Sequence, residues 1–89
     1  MDKILAIFNT LIEMSITNRE LIFIYCRYSP MDHQVLIYAY EKNSSEMLYK
    51  QEVDLAGENP LDELLIAEDK LINFICLAKE NHQTVEDAA

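Results

Sequence analysis

The sequence predicts an α+β fold in the order α-β-β-β-α, a three-stranded antiparallel meander packed with two helices. Apolar residues recur at helical spacing over residues 3–17 and again beyond residue 59. Between those regions lie three short segments dense in β-branched and aromatic side chains. The turns that separate them are a few residues long, and such turns join antiparallel neighbours, since a parallel crossover needs a dozen residues or more.

The first helix is expected from Lys3 to Thr17. Ile4, Ile7, Phe8, Leu11 and Ile12 mark one face, and Leu5 and Met14 widen the stripe. Asp2 suits its start, and Asn18 suits its end in the left-handed conformation. "ELIFIYCRY", residues 20–28, reads as the first strand and is apolar on both rows. Leu21, Phe23 and Tyr25 form one row, with Ile22, Ile24 and Cys26 on the other. "SPMD" turns the chain into "HQVLIYAYE", 33–41, a strand of the same character with His33 at its start. "KNSS" turns it again into "EMLYKQEVDL", 46–55. There Met47, Tyr49, Gln51 and Val53 alternate with Leu48, Lys50 and Glu52.

The last helix has the clearest start signal. Asn59 occupies the N-cap, Pro60 the first helical position, and Asp62 and Glu63 the first turn. Leu61, Leu64, Leu65, Leu71, Ile72, Ile75 and Ala78 mark an apolar face to about Asn81, where a cationic His82 would suit the helix dipole. Residues 1–82 are therefore expected to form a single domain. "HQTVEDAA" lacks periodicity, and residues 83–89 are expected to be a frayed tail.

Size and composition agree with one small core. A chain of 89 residues is 51% hydrophobic, and a domain this short needs that apolar fraction to bury enough surface. Cys26 and Cys76 sit inside apolar runs, which reads as two reduced core thiols in a cytoplasmic protein. The apolar run Ile4–Phe8 is too short for a secretory leader, and no segment approaches the length of a membrane span. The two apolar rows of the first two strands allow two packings. The helices could cover opposite faces of the sheet, or both could share one face and leave a Tyr-rich surface for another chain.

Charge supplies the main functional signal. The net charge is −9. Residues 1–45 carry five acids and four basic groups, a balance of −1, whereas residues 46–89 carry eleven acids and three lysines, a balance of −8. Such a chain repels nucleic acid and anionic membranes, because phosphate binding requires Lys and Arg. The last helix also lacks the Glu–Lys pairs, four residues apart, that commonly support a solvated helix. Asp62, Glu63, Glu68, Asp69 and Glu80 have no basic residue three or four positions away. At about 100° per residue, Asp62, Asp69 and Glu80 fall nearly on one line. Glu52, Asp54 and Glu58 could extend that row from the preceding strand and loop. The helix dipole accounts for acids in the first turn, but not for those further along. Glu58, Asp62, Glu63, Glu68, Asp69 and Glu80 are therefore the expected acceptors for the arginines or lysines of a partner protein.

No motif names a reaction. Phosphate cradles need several glycines, and the chain has Gly57 alone. Cys26, Cys76, His33 and His82 stand apart in sequence, so no zinc signature, no other metal site and no Cys–His nucleophile pair is evident. Neither an enzyme nor a cofactor is expected. The order α-β-β-β-α resembles that of the double-stranded-RNA-binding domain, a family that grips phosphates with lysines at the start of its last helix. This chain carries Asn59, Asp62 and Glu63 at the corresponding place, so RNA binding is not expected from it. In profile the chain is similar to phage-encoded inhibitors of restriction and CRISPR systems, which are small, acidic and without catalytic motifs. That profile implies a mimic of nucleic acid that covers the basic surface of a nucleic-acid-binding complex.

The alternative expectation is a homodimeric adaptor, immunity protein or chaperone that binds a protein through its apolar sheet face. Phe23, Tyr25, Tyr38 and Tyr40 are its candidate contacts, since tyrosine is enriched at interface hot spots. Core and strand-edge packing is the plainer reading of most of Tyr25, Tyr28, Tyr38 and Tyr40. Arg27 reads as a solvent-facing strand position or as one half of an ion pair between chains.

Overall fold

A computed structural model of the chain has the expected order of elements. Helix α1 spans Asp2–Thr17, strands β1, β2 and β3 span Ile22–Ser29, Gln34–Glu41 and Met47–Asp54, and helix α2 spans Pro60–Ala88. The structure describes residues 2–44 and 46–88, with side chains described as far as Glu80. Helix α2 runs beyond the Asn81 expected for its end. The tail expected to fray, 83–89, is helical as far as Ala88; Ala89 and the side chains from Asn81 on, that of His82 among them, fall outside the described residues.

The link from α1 to the sheet is short and specific. Ser15 Oγ donates a 2.7 Å hydrogen bond to the carbonyl of Ile24, tying the last turns of α1 to β1. Asn18 ends the helix, but not in the left-handed conformation, since His33 is the one described non-glycine residue with positive φ. Instead the Asn18 backbone N–H and side-chain amide both donate to the Met14 carbonyl, at 3.1 and 3.0 Å. Its own carbonyl accepts from the N–H groups of Leu21 and Ile22. The side chain thus satisfies a terminal carbonyl that a left-handed residue would otherwise reach through its backbone.

The sheet is the simple meander β1-β2-β3, antiparallel throughout. Ile24 faces Ala39 and Tyr25 faces Tyr38; Ile37 faces Gln51 and Tyr38 faces Lys50. His33 does not begin β2 as expected. It sits in the preceding turn with φ 52°, and its carbonyl accepts from Leu55 N–H at 3.0 Å. A register shift at Ala39/Tyr40 sets Tyr49 opposite Ala39 but Met47 opposite Tyr40. This bulge corrects the expected alternation: Met47 leaves the row of Tyr49, Gln51 and Val53 and is 47% exposed.

Both helices lie on one face of the sheet. Ile22, Ile24, Val35, Ile37, Ala39 and Val53 share a core with Leu11 of α1 and Leu64, Ala67, Leu71 and Ile75 of α2. Helix α1 packs on β1, α2 packs on β3, and the two helices touch each other. The Tyr49 and Phe74 rings meet at 6.1 Å between centroids, seating α2 over the third strand. Burial of the Tyr49 phenol raises its pKa. Leu36, although buried, is absent from this core because it points to the other side. The apolar stripe of α2 is also narrower than its sequence suggests. Leu64, Ala67, Leu71 and Ile75 are buried, while Leu65 and Ile72 face outward, as does Leu5 on α1.

That narrowing can be measured on adjacent residues. Leu64→Ala should cost about 3 kcal/mol, since a fully buried leucine leaves a cavity. Leu65→Ala should cost under about 1 kcal/mol. Urea unfolding of the two variants checks this, and equal losses would contradict the placement of α2.

Candidate functional site

The passage from β3 to α2 gathers carboxylates from three segments. Asp54 Oδ1 accepts from Ala56 N–H at 2.9 Å, and the Asp54 carbonyl accepts from Gly57 N–H at 3.0 Å, which folds the chain tightly back. Glycine matters here for close approach, because a Cβ at position 57 would come 3.1 Å from the Asp54 carbonyl oxygen. Asn59 then precedes the helix, and its carbonyl accepts the first helical bond from Glu63 N–H at 3.1 Å. The result is a concavity of about 510 Å³ lined by Glu52, Asp54, Glu58, Asp62 and Glu63, together with Gly57, Asn59 and Ile66.

Of the six acids expected to meet a partner, the structure brings together Glu58, Asp62 and Glu63. It adds Glu52 and Asp54 from the strand. Glu68, Asp69 and Glu80 lie outside the concavity. The helical rise of 1.5 Å per residue separates Asp69 from Asp62 by about 10 Å and Glu80 from Asp62 by about 27 Å. Among the described residues, Glu58, Asp62, Glu63, Glu68 and Asp69 enter no ion pair. Two lysines of β3 and α2 have other contacts. Lys70 Nζ lies 5.9 Å above the Tyr49 ring, and Lys50 contacts Glu52 at 3.7 Å. The latter pair is solvent-exposed and worth well under about 1 kcal/mol. No three His, Cys, Asp or Glu side chains among the described residues are arranged to hold a metal ion. The carboxylates ring a concavity instead of converging on a point, a spacing that suits several separate cationic side chains.

The second surface is the uncovered face of the sheet. Phe23, Tyr25 and Arg27 of β1 and Leu36, Tyr38 and Tyr40 of β2 share it. Phe23, Tyr25, Cys26, Arg27, Tyr38 and Tyr40 line a shallow concavity of about 540 Å³. Tyr25 is 56% exposed, and its ring meets Tyr40 edge to face at 5.6 Å. Lys50 Nζ lies 5.9 Å from the centre of the Tyr38 ring. Of the four tyrosines, for most of which packing is the plainer reading of the sequence, Tyr25, Tyr38 and Tyr40 lie on the open face. Tyr28 does not; it stands at the sheet end, where its hydroxyl and His33 Nδ1 share a 2.7 Å hydrogen bond.

The cysteines part company. Cys26 is half-buried against the core, but Cys76 is exposed, which corrects the reading of two core thiols. It follows the two apolar neighbours Phe74 and Ile75 in sequence, yet only those two turn inward. Among the described residues no helix is long and apolar enough to cross a membrane. No known protein family, curated protein or solved structure matches the chain.

Burial pushes the Cys26 thiol up to about 12. At pH 8 its thiolate fraction is then about one in ten thousand, and the thiolate is the reactive form. Native protein should therefore lose one thiol promptly to a maleimide, at Cys76, and the second only in denaturant. Equal rates for both, read by mass spectrometry, would contradict the burial of Cys26.

Proposed function

We propose that the protein is a non-enzymatic binding protein that covers a basic surface of a partner, where that partner would otherwise hold nucleic acid. The observation that supports it is the concavity between β3 and α2. Five carboxylates from strand, loop and helix surround it, and four of them enter no ion pair among the described residues. Carboxylates spread over a concave surface offer bidentate acceptors to arginines, as phosphates do. The net charge of −9 would steer a basic partner toward it and speed encounter. An inhibitor of restriction or CRISPR effectors that mimics DNA is the concrete form of this reading. Its contacts are Glu58, Asp62 and Glu63, with Glu68 and Asp69 as outlying acceptors and Glu80 far along the helix.

A second reading has its own support. The uncovered Phe23, Tyr25, Tyr38 and Tyr40 suit an adaptor, immunity protein or chaperone that holds another protein through its sheet face. In that case neutralising the acids would leave binding unchanged.

Titration of isotope-labelled protein with an octa-arginine peptide separates the two. Amide shifts are expected across residues 52–63, with affinity falling as salt rises. Combining Glu58→Gln, Asp62→Asn and Glu63→Gln should weaken binding roughly tenfold, about 1.4 kcal/mol. Undiminished affinity in that variant, or shifts centred on the tyrosines, would overturn the acidic reading.

A further inference from the structure

We infer that the uncovered sheet face closes on a second copy of this chain, the two sheets packing face to face about a two-fold axis along β2. The argument is the order of side chains in the rows that cross this face. Register alignment gives Phe23–Tyr40–Met47, then Tyr25–Tyr38–Lys50, then Arg27–Leu36–Glu52, and finally Ser29–Gln34–Asp54. In every row the β1 residue complements the β3 residue. A two-fold axis parallel to the strands reverses the order across each row but keeps the row, so β1 of one copy lies over β3 of the other. Phe23 then meets Met47, a favourable ring–sulfur contact. Tyr25 meets Lys50, a cation over an aromatic face. Arg27 meets Glu52, and Ser29 meets Asp54. Tyr40, Tyr38 and Leu36 lie on the axis and meet their own copies as an apolar spine.

Charge favours this axis over one perpendicular alternative. A two-fold perpendicular to the strands, through the Tyr25–Tyr38–Lys50 row, would set Lys50 over Lys50 and Arg27 over Phe23. The chosen axis pairs opposite charges instead. Arg27 is also exposed and has no ion-pair partner among the described residues, so it is free for an acid of another chain. Arg27 and Lys50 balance Glu52 and Asp54, so this face is neutral on a chain whose net charge is −9. The twist of real sheets does not spoil the match. Aligned sheets cross at about 30°, which displaces an outer strand, about 4.8 Å from the axis, by about 2.4 Å along its counterpart. Successive rows are about 6.7 Å apart, so each row still meets its own kind. The footprint, three strands of eight residues, is about 14 by 27 Å. That is about 380 Å² per copy, below the size of standard specific interfaces, so the dimer should be weak and form only at high concentration.

The inference does not rest on the acidic concavity, and its test reads assembly alone. Sedimentation of the full chain at increasing concentration should show a dimer. Arg27→Glu and Glu52→Arg should each shift dissociation to at least roughly tenfold higher concentration, and the double variant R27E/E52R should restore it. Circular dichroism confirms that each variant keeps its fold. Tyr38→Lys, on the axis, should abolish the dimer. A wild-type monomer at millimolar protein would overturn the inference. So would a dimer indifferent to Arg27→Glu and Tyr38→Lys, or a double swap that fails to rescue the folded single variants.

Discussion

A three-stranded sheet has two faces, and two helices of this chain cover one of them together. Leu11 from α1 and Leu64 and Leu71 from α2 converge on Ile22, Ile37, Val35 and Val53, all essentially excluded from solvent. Each such side chain contributes about 1.5–3 kcal/mol on burial, and helix–helix contact between α1 and α2 completes the layer. Had one helix crossed to the other side, each half of this core would have lost its second wall. Because the helices stay together, the row of Phe23, Tyr25, Tyr38 and Tyr40 is left without cover.

The same division explains where the charge goes. Helix α2 spends its inward stripe on small and aliphatic residues, and its polar flank begins directly after the turn at Asp54–Asn59. The turn brings Glu52, Asp54 and Glu58 beside the first turn of the helix, where Asp62 and Glu63 are favoured by the N-terminal dipole. The dipole partly offsets the mutual repulsion of these acids. Repulsion that remains is a standing cost to the isolated chain, one that the proposed basic partner would relieve.

Much of this was legible in the residues. The order of elements and the strand limits follow from periodicity and turn chemistry to within two residues. The start of α2 follows from Asn59-Pro60. What sequence left open was the side of the sheet each helix takes, because β1 and β2 are apolar on both rows and periodicity cannot choose between two apolar rows. Met47 was misplaced because a bulge carries no sequence signal here beyond an ordinary strand. Cys76 was misplaced for a different reason. The α2 stripe of Leu64, Ala67, Leu71 and Ile75 is narrow, and flanking apolar residues in sequence do not settle which side a helical position faces. At Asn18 the side chain took over the capping that a left-handed backbone would have provided. The acidic concavity was half visible: Asp62 and Glu63 were evident on the helix, but their union with Glu52 and Asp54 depends on a turn closed by backbone hydrogen bonds at Gly57 and a side-chain bond at Asp54.

The two surfaces are physically compatible because they divide opposite requirements. Association of a chain with net charge −9 with its own copy demands a face on which charge cancels, and the rows Tyr25–Tyr38–Lys50 and Arg27–Leu36–Glu52 supply cation, anion and apolar centre together. Capture of a basic partner demands the reverse, a region of one sign left unneutralised, and the β3–α2 turn supplies it. Glu52 and Asp54 are the residues where the two meet, standing both on the open rows and at the edge of the acidic concavity. An axis along β2 preserves strand direction, so the Asp54 ends of both copies come to the same end of the assembly. Arg27 of one copy would then neutralise Glu52 of the other and Ser29 would meet Asp54, while Glu58, Asp62 and Glu63 remain outward on each. The paired molecule would carry two acidic concavities at one end, a longer anionic surface than either chain presents alone.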